Sequence, residues 1–262
     1  MEYVLVAGCA FVVSGLTLFS GFGLGTLLMP VFALFFPVET AVAATAVVHG
    51  ANNVLKASLF GRHADWQLVL RFGLPAVPAA ALGATVLLVV SDLAPIVEYS
   101  VGGSQAVVTP IKLLMGLLMM AFALFELLPR FRRLEFDRKL LTLGGLLSGF
   151  FGGLSGHQGA LRSAFLAKVG ITTEAFVGTN SVIGLGVDLT RLAMYGAIFF
   201  VGGSRDLFEG EATPLILSGI AAAFCGVMLG KKLVAKVTMK TVQTLTGIML
   251  LGIAFALGAG LI

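Results

Sequence analysis

Ser20-Gly21-Phe22-Gly23-Leu24-Gly25 and Ser155-Gly156-His157-Gln158-Gly159 are glycine-rich breaks inside otherwise apolar stretches, one in each half of the chain. Their surroundings match at one spacing. Ser20 pairs with Ser155, Glu39 with Glu174, Lys56 with Arg191 and Gly61 with Gly196, each pair 135 positions apart. Four coincidences at a single offset point to an internal duplication. Two apolar halves with helices interrupted at corresponding places are the sequence mark of a secondary transporter built around a midplane site.

Working outward, the whole chain reads as membrane protein. It is 58% hydrophobic and only 11% charged, with a mean hydropathy of +1.03. A soluble domain carries roughly 25% charged residues. The apolar runs are rich in Leu, Val, Ala, Phe and Gly and long enough for helices to span a bilayer. The ten-residue alternation of barrel strands is absent. The first apolar stretch has no basic leader or A-x-A site, so it reads as a retained helix. Cys9 and Cys225 read as small buried hydrophobes. No CxxC, HExxH, GxSxG or Walker-type motif occurs, so neither an enzyme, a metal site, a cofactor nor an ATP-driven pump is signalled. The pI of 9.3 traces to basic loops and does not imply nucleic acid.

Hydropathy and turn residues divide the chain into ten segments, at 3–20, 22–37, 39–60, 68–90, 107–128, 140–155, 157–170, 174–201, 213–230 and 241–261. Those beside each break are short, either full crossings or re-entrant hairpins. Arg130, Arg132, Arg133, Arg138 and Lys139 crowd the middle of the chain, and Lys231, Lys232, Lys236 and Lys240 precede the last segment. Arg62, Arg71 and Lys168 add to the same set. The loop at 91–106 carries Asp92 and Glu98 without Lys or Arg, and 202–213 carries Asp206, Glu209 and Glu211 against Arg205. The positive-inside rule then places the basic loops in the cytoplasm and both termini outside. Five segments per half make the two halves enter the membrane from opposite sides. The expected fold is an all-α integral membrane protein of two inverted-topology repeats, about five helical segments each, with interrupted or re-entrant helices at the glycine breaks. The units are 1–129, a cytoplasmic basic linker at 130–139, and 140–262.

The chain resembles the TauE/SafE family of membrane permeases. The matching residues are Gly21-Phe22-Gly23-Leu24-Gly25 with Pro30, Thr40-Ala41-Val42-Ala43-Ala44-Thr45-Ala46 and the polar turn Arg62-His63-Ala64-Asp65-Trp66. In the second half they are Gly152-Gly153-Leu154-Ser155-Gly156 and Gly178-Thr179-Asn180-Ser181. His157-Gln158 stands where the pattern has glycine-like positions. The likeness spans nearly the whole chain and implies transport of sulfite or small organosulfonate anions in a bacterial-type inner membrane.

Glycine breaks free backbone N–H groups, and a following helix start adds the positive end of its dipole. Gly21, Gly23, Gly25, Gly156 and Gly159 are therefore candidate anion-binding positions, against the alternative that they only let helices pack closely. Intramembrane cations are the next candidates. Arg162 lies one turn past the second break with no carboxylate at i±3 or i±4, which leaves its planar guanidinium to an oxyanion. Arg191 lies three residues after Asp188 on the same face, either a neutralised pair or a ligand. Lys56 follows Asn53 at the equivalent spacing. Lys112 is expected to snorkel at its helix end. His157 and Gln158 sit in the break itself, where a histidine could bind an anion or relay a proton. Asn52, Asn53 and Asn180 could replace water around an anion, or bond between helices.

These readings favour a secondary transporter of a small anion, sulfite, thiosulfate or a short organosulfonate, by alternating access. A passive anion channel of the same architecture is the alternative. A proton or sodium ion is the candidate coupling ion, membrane lipid is the expected surroundings, and a homo-oligomer is a candidate assembly.

Overall fold

The computed structural model describes residues 1–18, 24–132, 136–166, 169–201, 212–233 and 239–262. Gly21 and Gly23 of the first break, Arg133, Lys168, Lys236 and the charged residues of 202–211 lie outside the described residues, as do the side chains of Arg132, Lys231, Lys232 and Lys240.

The chain is an all-α membrane protein. Its principal helices are α1 (Glu2–Leu16), α2 (Leu24–Ala33), α3 (Val38–Phe60), α4 (Trp66–Ser91) and α5 (Pro110–Leu127) in the first half. Those of the second half are α6 (Leu141–Ser155), α7 (Gln158–Leu166), α8 (Thr173–Val201), α9 (Ala212–Leu233) and α10 (Met239–Gly258). Among the described residues α4, α5 and the 212–230 part of α9 are long and apolar enough to cross a bilayer. Helices α3 and α8 match them in length but carry many of the buried polar residues. With 10 and 9 residues, α2 and α7 reach only about 15 Å at 1.5 Å per residue, half the hydrocarbon thickness. They are half-helices. Leu82, Leu117, Leu217 and Phe255 are more than half exposed, as lipid-facing side chains are. Several phenylalanines point inward instead, with Phe32 and Phe72 fully buried.

Local chemistry sets the element ends. Asp65 accepts from the backbone N–H groups of Gln67 and Leu68 and starts α4. A π turn over Val69–Gly73 directly precedes Pro75 and Pro78, which cannot donate to the preceding turn. Thr109 caps α5 and Pro110 occupies its first position.

The expectation of a segment beginning at 107 is corrected. Val97–Val101 (β1) and Ser104–Val108 (β2) form an antiparallel hairpin. Gly102 and Gly103 turn it with φ of 59° and 87°, the pair of positive values that a tight two-residue turn requires. The hairpin also holds the chain end, since Val107 N donates to Gly260 O at 3.0 Å. Lys112 Nζ donates to Val107 O at 3.2 Å, so its amine serves the hairpin backbone. Cys225 is exposed rather than buried, and both cysteines are free.

Packing between the halves follows an exchange pattern. Helix α1 packs on α9 while α4 packs on α6; α3 packs on α9 while α8 packs on α4; α5 meets α10 and α3 meets α8. For these pairs, replacing each helix by the one five places on in chain order returns the same pairs. Glycine makes the closest of these approaches. A Cβ on Gly149 would lie 2.1 Å from Ala76 O, and one on Gly153 1.9 Å from Ala80 O. The α6 backbone therefore rests directly on that of α4.

Candidate functional site

Polar residues gather where α3 and α8 cross. Asp188 (α8) is fully buried and accepts from both halves of the chain. Its Oδ2 accepts from Asn53 Nδ2 at 2.7 Å and lies 2.7 Å from His49 Nδ1. Its Oδ1 accepts from Gln158 Nε2 at 3.0 Å and from Arg191 Nε and Nη2 at 3.1 and 2.8 Å. An ionised carboxylate taken out of water needs such partners. Arg191 is fully buried against it. The charge of Arg191 is therefore internally neutralised, as its spacing from Asp188 allowed.

Arg162 (α7) differs. It is 2% exposed, donates through Nη1 to Gln158 Oε1 at 2.8 Å and through Nε to Asn180 Oδ1. Both acceptors are neutral amides. Gln158 thus stands between two charged groups, giving its N–H to Asp188 and its oxygen to Arg162, which fixes where the guanidinium sits.

Arg162 lines a cavity with His49, Asn53, Lys56, Asn180, Ser181 and Thr17, closed by Leu18, Leu24 and Val177. Among the described residues no Asp or Glu belongs to the lining. The cavity is small and mostly polar in its lining. His49, Asn53 and Lys56 reach it from one face of α3, spaced i, i+4 and i+7. The buried Nδ2 of Asn180 has no hydrogen-bond partner among the described residues. Around the lower end, Asp65 N donates to Thr179 Oγ1 at 2.8 Å and Arg138 donates to Val169 O. The cavity is therefore displaced toward the end of the molecule bearing 61–65, the basic linker and 169–172.

The structure brings together part of the set expected from sequence. Arg162, Asn53 and Asn180 line the cavity; Gly25, Asn52, Gly156, His157, Gln158, Gly159 and Arg191 do not. Gly156 has φ +79° and ends α6, its N–H donating to Gly152 O. A Cβ on Gly25 would sit 2.9 Å from Gly156 O. Gly25 and Gly156 therefore abut, with no room between them. His157 turns away from the cavity, stacked on Phe122 at 5.0 Å with Nδ1 on Ser155 O at 3.0 Å. Asn52 Oδ1 accepts from Ser14 Oγ at 2.9 Å and ties α3 to α1. Sequence reasoning passed over Thr17 and Ser14, whose only signal was a hydroxyl in the last turns before a break. Among the described residues no three of His, Cys, Asp and Glu are grouped to hold a metal ion.

The chain matches the family model described as "Sulfite exporter TauE/SafE" over residues 5–257. Comparison with curated proteins and with solved structures finds no significant match.

Proposed function

The chain belongs to the sulfite exporter TauE/SafE family, and from that premise we propose that it is a secondary carrier of sulfite, thiosulfate or a short organosulfonate. It works by alternating access between inverted repeats, residues 1–129 and 140–262, joined by the basic linker 130–139, in a bacterial-type inner membrane. The observation that carries this reading is the Arg162 cavity, where a buried guanidinium hydrogen-bonds to neutral amides and, among the described residues, no Asp or Glu belongs to the lining. A buried charge whose hydrogen-bond partners are all neutral is costly, and an oxyanion that accepts from its fork offsets that cost. Five helices per half and the exchange pattern of their contacts support inverted repeats. A proton or sodium ion is the coupling ion in this scheme.

Purified protein in proteoliposomes, loaded with sulfite or thiosulfate, tests the reading. Saturable flux that collapses in Arg162→Ala supports it. Flux far above carrier turnover that persists without any coupling gradient establishes a channel instead. Absence of flux and of binding for every small oxyanion overturns it.

A further inference from the structure

We infer that Lys56 sets the charge preference of the site: with Arg162 it holds one doubly charged oxyanion, favouring dianions over monoanions of the same shape. This rests on reading the Arg162 cavity as the anion site.

Lys56 is 8% exposed and lines the cavity beside Arg162. Among the described residues no hydrogen bond or ion pair is recorded for its amine. Asp188 hydrogen-bonds to neither of the two cations. It lies outside the lining and already accepts from Asn53, Gln158 and Arg191, with His49 against its second oxygen. Two positive charges thus face one small cavity with no Asp or Glu among the described residues of its walls.

The origin of this excess is visible in the duplication. Arg191 and Lys56 are equivalent positions, and each follows a polar residue by three. In the second half that residue is Asp188, which neutralises Arg191 at 2.8 Å. In the first half it is Asn53, an amide, which leaves Lys56 unneutralised. The protein supplies a carboxylate to one of the two equivalent cations and withholds it from the other.

Like charges in a low-dielectric setting repel strongly, and desolvation adds to the cost. A monoanion compensates one of them. A dianion compensates both, and the spare N–H of Asn180 offers it a further donor. Arg162 supplies the fixed fork; the flexible stem of Lys56 lets a point charge follow the second negative oxygen.

Sulfate and methanesulfonate separate the two cases, being tetrahedral and close in size but carrying two charges and one. Affinities for both are measured by calorimetry on purified protein in detergent. The parent should bind sulfate at least about tenfold more tightly, a difference of about 1.4 kcal/mol. Lys56→Gln should reduce that sulfate-to-methanesulfonate ratio about tenfold, and Lys56→Arg should restore it. Equal losses for the two anions in Lys56→Gln, or a parent without preference, overturn the inference while leaving the anion site standing. If Lys56→Gln does not fold, the parent's ratio and that of Lys56→Arg decide the matter. Arg162→Ala should weaken both anions; if it binds both like the parent, the reading of the cavity fails, whatever Lys56 does.

Discussion

Asn53 Nδ2 donates a 2.7 Å hydrogen bond to Asp188 Oδ2, and the two residues are 135 positions apart, the offset that relates the two halves of the sequence. Residues equivalent under a two-fold rotation touch each other only where the axis passes. A pseudo-two-fold of the kind proposed would run through this pair, with Lys56 and Arg191 on opposite sides of it. One carboxylate at the axis joins α3, α7 and α8, so the elements that carry the site are locked through a single side chain.

Asp188→Asn should accordingly destabilise the protein more than any other single change in the cluster. The substitution keeps the shape but leaves the fully buried Arg191 guanidinium without its counter-charge. Removing one member of a buried pair costs about 3–5 kcal/mol. Thermal and denaturant unfolding in detergent is the measurement, and a variant as stable as the parent would show that Arg191 finds another partner.

Packing at α4 and α6 gives a second expectation. Gly149→Ala places a methyl 2.1 Å from Ala76 O and 2.7 Å from Ala76 Cα, all backbone that cannot rotate aside. Overpacking of this kind costs about 1–3 kcal/mol. Gly8→Ala in α1 meets nothing within 4 Å and should be neutral or slightly stabilising through its helix propensity. Equal stabilities for the two variants would mean that the helices separate freely.

Much of this was legible in the sequence, and the remainder has identifiable causes. Ten apolar segments and their breaks could be read because hydrophobic runs and glycines act locally. The pairing of Arg191 with Asp188 could be read for the same reason, since i and i+3 share a helix face whatever surrounds them. The hairpin carried a signal, two glycines between Val-containing runs, but 91–106 reads as an acidic loop and residues 107–108 as the start of the helix after Pro110. Which way His157 faces depends on Phe122, 35 positions away, and no local pattern encodes that stacking. The abutting of Gly25 on Gly156 O is likewise long-range. The cavity lies where Arg162 reaches it but the 157–159 backbone does not.

Orientation is checked by labelling. With Cys9 and Cys225 replaced, Ser100→Cys in the exposed hairpin should react with an impermeant reagent from outside intact cells. Asp137→Cys, exposed within the basic linker, should react only after the membrane is opened. The Lys and Arg distribution sets this expectation, and the seating of residues 259–260 on the hairpin places the C-terminus with Ser100. Labelling of position 137 from outside would reverse the topology and the face toward which the cavity is displaced.

The sharpest separation is among Arg162, Gln158 and Arg191, which lie in one hydrogen-bonded series but do different things. Arg162 reaches the cavity, so Arg162→Ala removes a full charge and a two-pronged donor from the bound anion. Hydrogen bonds to charged groups contribute about 1.5–3 kcal/mol, which is roughly ten- to a hundredfold in affinity. Arg162→Lys restores the charge without the fork geometry and should recover part of the loss. Gln158 does not line the cavity but holds Arg162 Nη1 at 2.8 Å while bonded to Asp188 at 3.0 Å. Gln158→Leu should therefore loosen the guanidinium and cost a smaller factor, with the sulfate-to-methanesulfonate ratio unchanged. Arg191 touches Asp188 and the Gly152 carbonyl, so Arg191→Ala should lower stability first and affinity only as a consequence. Anion affinity and unfolding midpoint, measured on the parent and these four variants, decide between these roles. If Arg162→Ala binds like the parent while Arg191→Ala does not, the anion sits further along α8, beside Tyr195, and the cavity described here is not its site.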